Sequence, residues 1–198
     1  MKRTSIFKAV IGASALVPAA LLVRGIFTDD LGANPVEYIT HQTGWFALFF
    51  LFVSLAVTPL RRATRWHEII RYRRMLGLFA FFYATLHFLT WFVFDHALDV
   101  ASMLEDVFKR PYITVGMAAF LMLLPLAITS NQVMIRRLGR KWQALHRLAY
   151  AAAFAGVVHF WWLVKADIRE PQRWALALTA LLGVRAWWTF RARLSSRS

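Results

Sequence analysis

Three histidines stand in or beside apolar stretches of this sequence, where an imidazole ring is unusual. His87 lies inside the apolar segment 75–94, while His146 and His159 lie near the two ends of the segment 145–160. An ionisable side chain is costly within a segment apolar enough for a membrane, and it marks a functional site by default. Because neutral imidazole nitrogens bind iron, two such histidines on two helices indicate a haem held between two imidazoles.

Similar depth is the second reason to pair His87 with His159. His87 is 12 residues into its segment, and His159 is 11 residues into its own, 148–164. Both segments are expected to run in the same direction, so a rise of about 1.5 Å per residue brings the two rings to a similar depth. Small residues on the two helices would leave room for a macrocycle, namely Ala80, Ala84, Ala152, Ala155 and Gly156. The alternative is that the two histidines only form hydrogen bonds between helices.

His146 cannot bind the same iron, because it precedes His159 by 13 residues, which is about 19–20 Å along a helix. At the matching depth the third segment carries Arg73 and Arg74 but no histidine. His146 could bind a second haem, alone or with a distant residue, or it could contact a haem propionate or a flavin phosphate. An interfacial position beside Arg147, without a cofactor, is the other alternative.

The remaining three histidines lie outside the interiors of the apolar segments. His67 and His96 stand in charged connections and are expected to be solvated. His41 stands at the start of the second apolar segment and is intermediate between the two groups.

The composition is that of a membrane protein. Of 198 residues, 59% are hydrophobic and 16% are aromatic, which is more apolar surface than a soluble domain of this length can bury.

The chain has no cysteine, which excludes disulfides, thiolate-bound iron–sulfur clusters, CxxCH haem attachment and a cysteine nucleophile. No two glycines lie within two residues of each other, so a GxGxxG loop for NAD(P)H is excluded, as is a Walker motif. Electrons must then come from quinol, a flavin or another protein.

The apolar residues fall into six segments, each interpreted as a membrane-spanning helix, which needs roughly 17–25 residues. The segments are 6–27, 44–60, 75–94, 112–129, 148–164 and 174–188. The stretches between them are too short to fold as a soluble catalytic domain. We therefore expect one transmembrane domain over residues 1–198, built as an all-α bundle of six helices.

Three local features bear on these segments. Segment 6–27 follows Lys2 and Arg3, as in a signal peptide, but its length favours a retained helix. Pro59 is expected to close the second segment, and Arg185 in the short sixth segment is expected to snorkel to the lipid headgroups. No internal repeat is visible in the sequence.

The charges alternate between connections. The net charge of +14 comes from 24 Lys and Arg against 10 Asp and Glu. Short basic clusters stand at the N-terminus, in 61–74, in 131–147 and at the C-terminus, whereas all acids except Glu68 occupy the other three connections. This pattern is typical of membrane topology and not of a nucleic-acid-binding face. The positive-inside rule places both termini in the cytoplasm, with the basic clusters near lipid headgroups.

Several blocks of the sequence, in order along nearly the whole chain, resemble the MsrQ (YedZ) family. They are 31–35 (LGANP), 41–44 (HQTG), 73–78 (RRMLGL), 84–87 (ATLH), 110–116 (RPYITVG), 138–146 (LGRKWQALH) and 159–162 (HFWW). Members of this family are haem-binding membrane subunits of the bacterial MsrPQ methionine sulfoxide reductase system. The family belongs to the ferric-reductase-like transmembrane group of cytochromes b, which also includes NADPH oxidases.

The resemblance implies b-type haem with His87, His146 and His159 as ligands, and it implies flavin mononucleotide (FMN). It implies electrons drawn from the quinone pool or a cytosolic flavin reductase. These would cross the bacterial inner membrane to a periplasmic molybdopterin-containing catalytic subunit, which reduces methionine sulfoxide in oxidised proteins. NADPH oxidases carry two histidines on each of two helices, whereas this chain lacks the fourth.

We therefore expect an electron-transfer subunit that has no activity of its own on methionine sulfoxide. Two alternatives remain. One is a self-sufficient transmembrane reductase of metal ions or oxygen. The other is a small transporter or scaffold in which the histidines are structural.

Overall fold

The computed structural model describes residues 2–164 and 166–195, and all the regular elements in these ranges are helices. The side chains of Lys2 and Arg3 and the whole of Arg197, which belong to the predicted basic clusters, lie outside the described part. A 3-10 turn, His67–Ile69, precedes the third α-helix, and a π-helical turn, Trp91–Asp95, follows it. The α-helices are α1 Lys2–Thr28, α2 Pro35–Thr64, α3 Ile70–Thr90, α4 Val100–Lys109, α5 Pro111–Ile128, α6 Gln132–Leu138, α7 Arg140–Leu145, α8 Leu148–Leu163 and α9 Arg169–Ser195.

Four helical stretches among the described residues are long and apolar enough to cross a membrane. They are Ser5–Thr28, Pro35–Thr64, His67–Asp95 and Pro111–Ile128. Helix α8 is apolar but has only 16 residues, fewer than the roughly 20 that a span needs. Helix α9 is long enough, but charged residues interrupt it. The all-α membrane class is therefore confirmed, while the count of six spans stays a prediction.

Side-chain caps and prolines set where the helices begin. The Asn34 side chain accepts a hydrogen bond from the Glu37 backbone N–H at 3.2 Å, and Asp99 accepts one from Ala101 at 3.0 Å. Such caps satisfy N–H groups that have no partner within the helix. Pro111 opens α5, because a first-turn proline loses no helical hydrogen bond.

The core lies between α2, α3, α5 and α8. Helix α2 packs along α3, and α5 packs along α8, while α3 also contacts α5 and α2 contacts α8. Small side chains allow this close approach, since Ala80 on α3 and Ala152 and Ala153 on α8 are almost fully buried. Helices α1 and α9 pack against the outside of this four-helix core.

The hydroxyl of Tyr83, a fully buried residue of α3, attaches α1 to the core. This hydroxyl donates a hydrogen bond to the Ala15 carbonyl at 2.7 Å and accepts one from the Ala19 N–H at 3.2 Å. Ala15 and Ala19 are four residues apart and would otherwise bond to each other, so the hydroxyl is inserted into the helical ladder beside Pro18.

The expected end of the second helix at Pro59 is wrong, because α2 continues through Pro59 to Thr64. A proline inside a helix leaves the carbonyl four residues earlier without its usual N–H donor. Here that carbonyl belongs to Leu55, and the Arg185 guanidinium donates a hydrogen bond to it. Arg185 also donates to the Tyr150 hydroxyl and lies over the Tyr150 ring. Arg185 therefore points into the protein, which corrects the expectation that it snorkels to headgroups.

The two ends of the bundle differ in charge. We call the end that holds the α1–α2, α3–α5 and α8–α9 connections the acidic end, and the opposite end the basic end. Side chains from all three acidic connections line one cavity, which shows that they lie together: Asn34, Glu37, Asp95 and Glu170. At the basic end, Arg62 lies over the Trp188 ring at 4.7 Å.

Candidate haem site

His87 is held by the backbone of α2. Its Nδ1 lies 2.9 Å from the Thr40 carbonyl oxygen. Because a carbonyl can only accept, Nδ1 carries the hydrogen and donates it, which leaves Nε2 as a free lone pair suited to a metal. The ring lies against Gly44, where an added Cβ atom would stand 3.1 Å from both Cε1 and Nδ1 of His87. No side chain larger than glycine fits there without moving the ring.

His159 is held by α5 in the same way. Its Nδ1 lies 2.7 Å from the Tyr112 carbonyl oxygen, so this nitrogen also donates and Nε2 is again left free. The ring lies against Gly116, where an added Cβ atom would stand 2.6 Å from Nδ1 and 2.8 Å from Cε1. These distances are shorter than any van der Waals contact, so Gly116 is required for this ring position.

The same local unit therefore occurs twice. Each histidine follows its carbonyl partner by 47 residues, and each glycine follows that carbonyl by one helical turn. One unit joins α2 to α3 and the other joins α5 to α8. The sequence shows no repeat because only the spacing recurs. The sequence did not predict that these glycines and backbone carbonyls hold the histidines, because neither a glycine nor a backbone carbonyl marks such a role by itself.

The structure brings the His87 and His159 rings together, with centroids 6.0 Å apart and planes at 79°. Two imidazoles bound on opposite sides of one metal, with bonds of about 2.0–2.1 Å, have centres roughly 6 Å apart. His87 and His159 are therefore close enough that both could bind one iron. Their Nε2 atoms would supply two imidazole nitrogens, a donor type that haem iron accepts.

Two cavities meet at these rings. The inner cavity, of about 130 Å³, is apolar and lies between α2, α3, α5 and α8. The mouth cavity, of about 790 Å³, extends from the rings to the acidic end and has mixed walls, in which Glu37, Asp95 and Glu170 stand among apolar side chains. The inner cavity alone is too small for a haem macrocycle, which would also need the space of the mouth cavity, where polar side chains could meet its two carboxylates. Among the predicted small residues, Ala84, Ala152 and Gly156 line the inner cavity, whereas Ala80 and Ala155 do not.

His146 lies at the basic end, just before α8, away from the other two rings. It stacks on Trp142 with centroids 3.8 Å apart, and its Nδ1 lies 3.1 Å from the Trp142 carbonyl. Trp142 is itself held by a hydrogen bond from its indole N–H to the Thr129 carbonyl at 3.0 Å. Burial lowers the pKa of His146 from its ordinary value, which favours the neutral ring. Its Nε2 is buried without a hydrogen-bond partner among the described residues.

Of the remaining histidines, His41, His67 and His96, only His96 differs from the exposure expected from the sequence. His67 is exposed as predicted, and His41 lines the mouth cavity. The expectation that His96 is solvated is wrong, because this residue is only 8% exposed. Its Nδ1 lies 2.9 Å from the Ser102 hydroxyl and its Nε2 lies 3.4 Å from an Asp106 carboxylate oxygen. Within the described ranges no group of three or more His, Cys, Asp or Glu side chains could hold a bare metal ion.

Comparison with known proteins gives two concordant results. Residues 43–157 match the family of the ferric reductase like transmembrane component. Several curated relatives are named protein-methionine-sulfoxide reductase heme-binding subunit MsrQ. The relative from Herminiimonas arsenicoxydans is 50% identical over 96% of this chain and 88% of its own length. The relative from Ralstonia nicotianae is 52% identical over 89% of this chain and 83% of its own length.

A third relative, from Xanthomonas oryzae pv. oryzae, is 50% identical over 94% of this chain and 88% of its own length. The matched region of the first relative thus extends through all four core helices. No solved structure matches the chain.

Proposed function

Because the chain belongs to the ferric-reductase-like transmembrane family and, within it, to the MsrQ haem-binding subunits, we propose that it is a membrane b-type cytochrome whose His87 and His159 bind one haem. The observation that carries this proposal is the pair of imidazoles 6.0 Å apart, each with Nδ1 bonded to a backbone carbonyl. Hydrogen bonds of this kind fix the ring orientation and raise the basicity of the ligating nitrogen.

The residues around the two rings would control the environment of the iron. Gly44 and Gly116 let each ring lie directly against a neighbouring helix, and the apolar walls of the inner cavity exclude water. A low-dielectric environment strengthens interactions with any buried charge. When bound, haem supplies an iron that accepts and passes on single electrons. The protein contributes the axial ligands, their orientation and the polarity of the surroundings, which together set the reduction potential.

We propose that electrons enter at the basic end and leave at the acidic end. The basic clusters support a cytoplasmic position for the basic end and for both termini, in the bacterial inner membrane. The mouth cavity, which connects the paired rings to the acidic end, supports an exit on the periplasmic side. By family, the acceptor is a periplasmic molybdopterin-containing catalytic subunit that reduces methionine sulfoxide in proteins. The donor is the quinone pool or a cytosolic flavin reductase, and FMN is a further cofactor.

We assign His146 to electron entry rather than to the paired site. It lies at the basic end, and its Nε2 is buried and free of hydrogen bonds among the described residues. A free, neutral imidazole nitrogen is a potential ligand for a second haem, and it also suits a contact with a propionate or a flavin phosphate. The stacked Trp142 ring holds this imidazole in place.

The proposal is tested by the absorption spectrum of the purified protein and by a pyridine haemochrome assay. We expect the spectrum of a low-spin b-type haem at a stoichiometry of one or two haems per chain. A colourless protein with normal folding would identify the histidines as structural and would overturn the cytochrome. Co-purification of the chain with a molybdoenzyme tests the acceptor, since a metal or oxygen reductase would not need that partner.

A further inference from the structure

Helix α4 is amphipathic, but most of its apolar side chains point away from the protein. Its side facing the core carries Asp106 together with Ser102 and Met103. The outward side is divided between two flanks. One flank is apolar, and its Val100, Leu104 and Phe108 are 53%, 47% and 83% exposed. The other flank carries the exposed ion pair of Glu105 and Lys109.

The inward side of α4 is attached to the protein by a polar cluster around the buried His96. Asp106 accepts from the Arg110 Nε at 2.9 Å, and its second oxygen lies 3.4 Å from His96 Nε2. The His96 ring packs edge-on against Trp91, with centroids 4.5 Å apart. This cluster joins α4 to the end of α3 and to the start of α5, so the rotation of α4 about its own axis is set. The two exposed flanks therefore have defined directions.

Exposed apolar side chains also occur just before α4 along the chain. The spanning stretch His67–Asp95 ends in exposed Leu89 and Val93, and exposed Leu98 follows at the start of the connection. Pro111, directly after α4, begins the next span. Because α4 joins the same ends of two spans, it lies at the level where both leave the hydrocarbon. A helix at that level meets acyl chains on one flank and water on the other.

We propose that α4 lies flat in the membrane interface at the acidic end. Its apolar flank enters the lipid between headgroups and acyl chains, and its Glu105–Lys109 flank faces water. The occupant of the exposed apolar surface is thus membrane lipid and not a protein partner. An amphipathic helix with a charged face binds at this depth, with its apolar side buried about 5–10 Å into the boundary region. This inference does not depend on haem or on the proposed electron transfer.

The natural absence of cysteine makes a site-specific test direct. Nitroxide labels are attached to single cysteines introduced by Leu104→Cys and Phe108→Cys, with Glu105→Cys and Lys109→Cys as matched controls on the same helix. Each full-length variant is reconstituted in phospholipid nanodiscs without any partner. Collision rates are then measured with oxygen, which concentrates in lipid, and with a water-soluble nickel chelate.

We expect the labels at 104 and 108 to collide several-fold more with oxygen than with the nickel chelate, relative to the labels at 105 and 109. Equal access of the nickel chelate to all four labels would place α4 in water and overturn the proposal. Labels at 104 and 108 that are shielded from both reagents would also overturn it, because they would lie against protein. Size-exclusion profiles identical to that of the unlabelled chain establish that the variants are folded.

Discussion

At the scale of single residues, the nitrogen available to a metal is determined by which imidazole nitrogen forms a hydrogen bond to the backbone. The Thr40 and Tyr112 carbonyls each take the Nδ1 hydrogen of one histidine. Both histidines therefore present the same nitrogen, Nε2, without any ionised partner. This arrangement favours neutral rings, as the proposed iron ligation requires, whereas a neighbouring carboxylate would favour the protonated ring.

The first prediction concerns the ligands. His87→Ala and His159→Ala each remove one axial ligand of the same proposed iron, so either change is expected to abolish the low-spin spectrum and electron delivery. Because the two residues act as one unit, the double variant should be little worse than either single variant. His146→Ala should leave that spectrum largely intact and reduce the rate of entry or the haem stoichiometry. Visible spectra and haem assays of the purified variants give the measurement. Normal haem content in both His87→Ala and His159→Ala would refute the pairing.

The second prediction concerns the glycines under the rings. In Gly116→Ala the new methyl carbon would stand 2.6 Å from His159 Nδ1, so the ring must move away from the Tyr112 carbonyl. Losing such an orienting hydrogen bond lowers the affinity for a metal by about 10–100-fold. Gly44→Ala has a 3.1 Å contact and should have a smaller effect, seen as a shifted reduction potential with more haem retained.

The control for the glycine variants is Gly183→Ala on α9, because a Cβ added there meets no atom within 4 Å. Alanine in a helix interior is favoured over glycine by roughly 0.5–1 kcal/mol, so this variant should be unchanged or slightly more stable. Haem content, redox titration and electron paramagnetic resonance would be compared across the three variants. A Gly116→Ala protein with the haem content and potential of the unmodified chain would show that the contact does not position His159.

At the scale of helices, buried polar contacts compensate for local breaks in helical hydrogen bonding. Pro59 removes the donor for the Leu55 carbonyl in the middle of α2, and Arg185 from α9 replaces it. The Tyr83 hydroxyl has a different role in α1, because it bridges the Ala19 N–H and the Ala15 carbonyl, whereas the carbonyl that Pro18 leaves without a donor belongs to Ser14. Both peripheral helices are thus attached to the core through a polar side chain. Such contacts matter in a membrane because lipid tails are as apolar as the side chains, so the hydrophobic effect does not drive the helices together.

The third prediction tests the link between Pro59 and Arg185. Arg185→Met should destabilise the protein by about 1–3 kcal/mol, because it leaves the buried Leu55 carbonyl without a donor. In a Pro59→Ala background residue 59 has its own N–H for that carbonyl, so Arg185→Met should cost less. Thermal unfolding of the two single variants and the double variant in detergent gives the coupling energy, expected to be about 1 kcal/mol. Additive effects would mean that Arg185 stabilises α9 through Tyr150 alone.

At the scale of the whole molecule, the distribution of charge and the position of the paired histidines distinguish the two ends of the bundle. The paired rings line the mouth cavity, which reaches the acidic end, whereas His146 and most of the arginines lie towards the basic end. The proposed electron transfer would therefore use a different partner at each end. The basic end can attract an acidic soluble donor or anionic lipids through long-range attraction that salt screens.

The fourth prediction concerns topology. Reporters fused at the C-terminus and within 61–74 should read cytoplasmic, and reporters within 95–111 should read periplasmic, because basic connections are retained inside. Paired alkaline phosphatase and green fluorescent protein fusions in the same cells provide the measurement, each serving as the control for the other. A periplasmic C-terminus would mean that one of the six segments does not span. The short α8 and the charged α9 are the two helices for which this outcome would be expected.

Properties that depend on residue type and order were available from the sequence alone. The apolar composition predicted a helical membrane protein, the alternating charges predicted two unlike ends, and histidines inside apolar segments predicted the candidate ligands. Depth along regular helices sufficed to pair His87 with His159, because a constant rise converts sequence position into distance.

Only the tertiary structure decided the contacts between helices that are distant in sequence. Which nitrogen of each histidine is free depends on a carbonyl 47 residues away, and the need for Gly44 and Gly116 depends on a ring from another helix. His96 is buried because α4 folds back with Asp106, and Arg185 turns inward because Pro59 leaves a carbonyl on a neighbouring helix without a donor. Residue spacing fixes positions along one helix, but packing between helices determines which polar groups meet, since each buried group needs a partner.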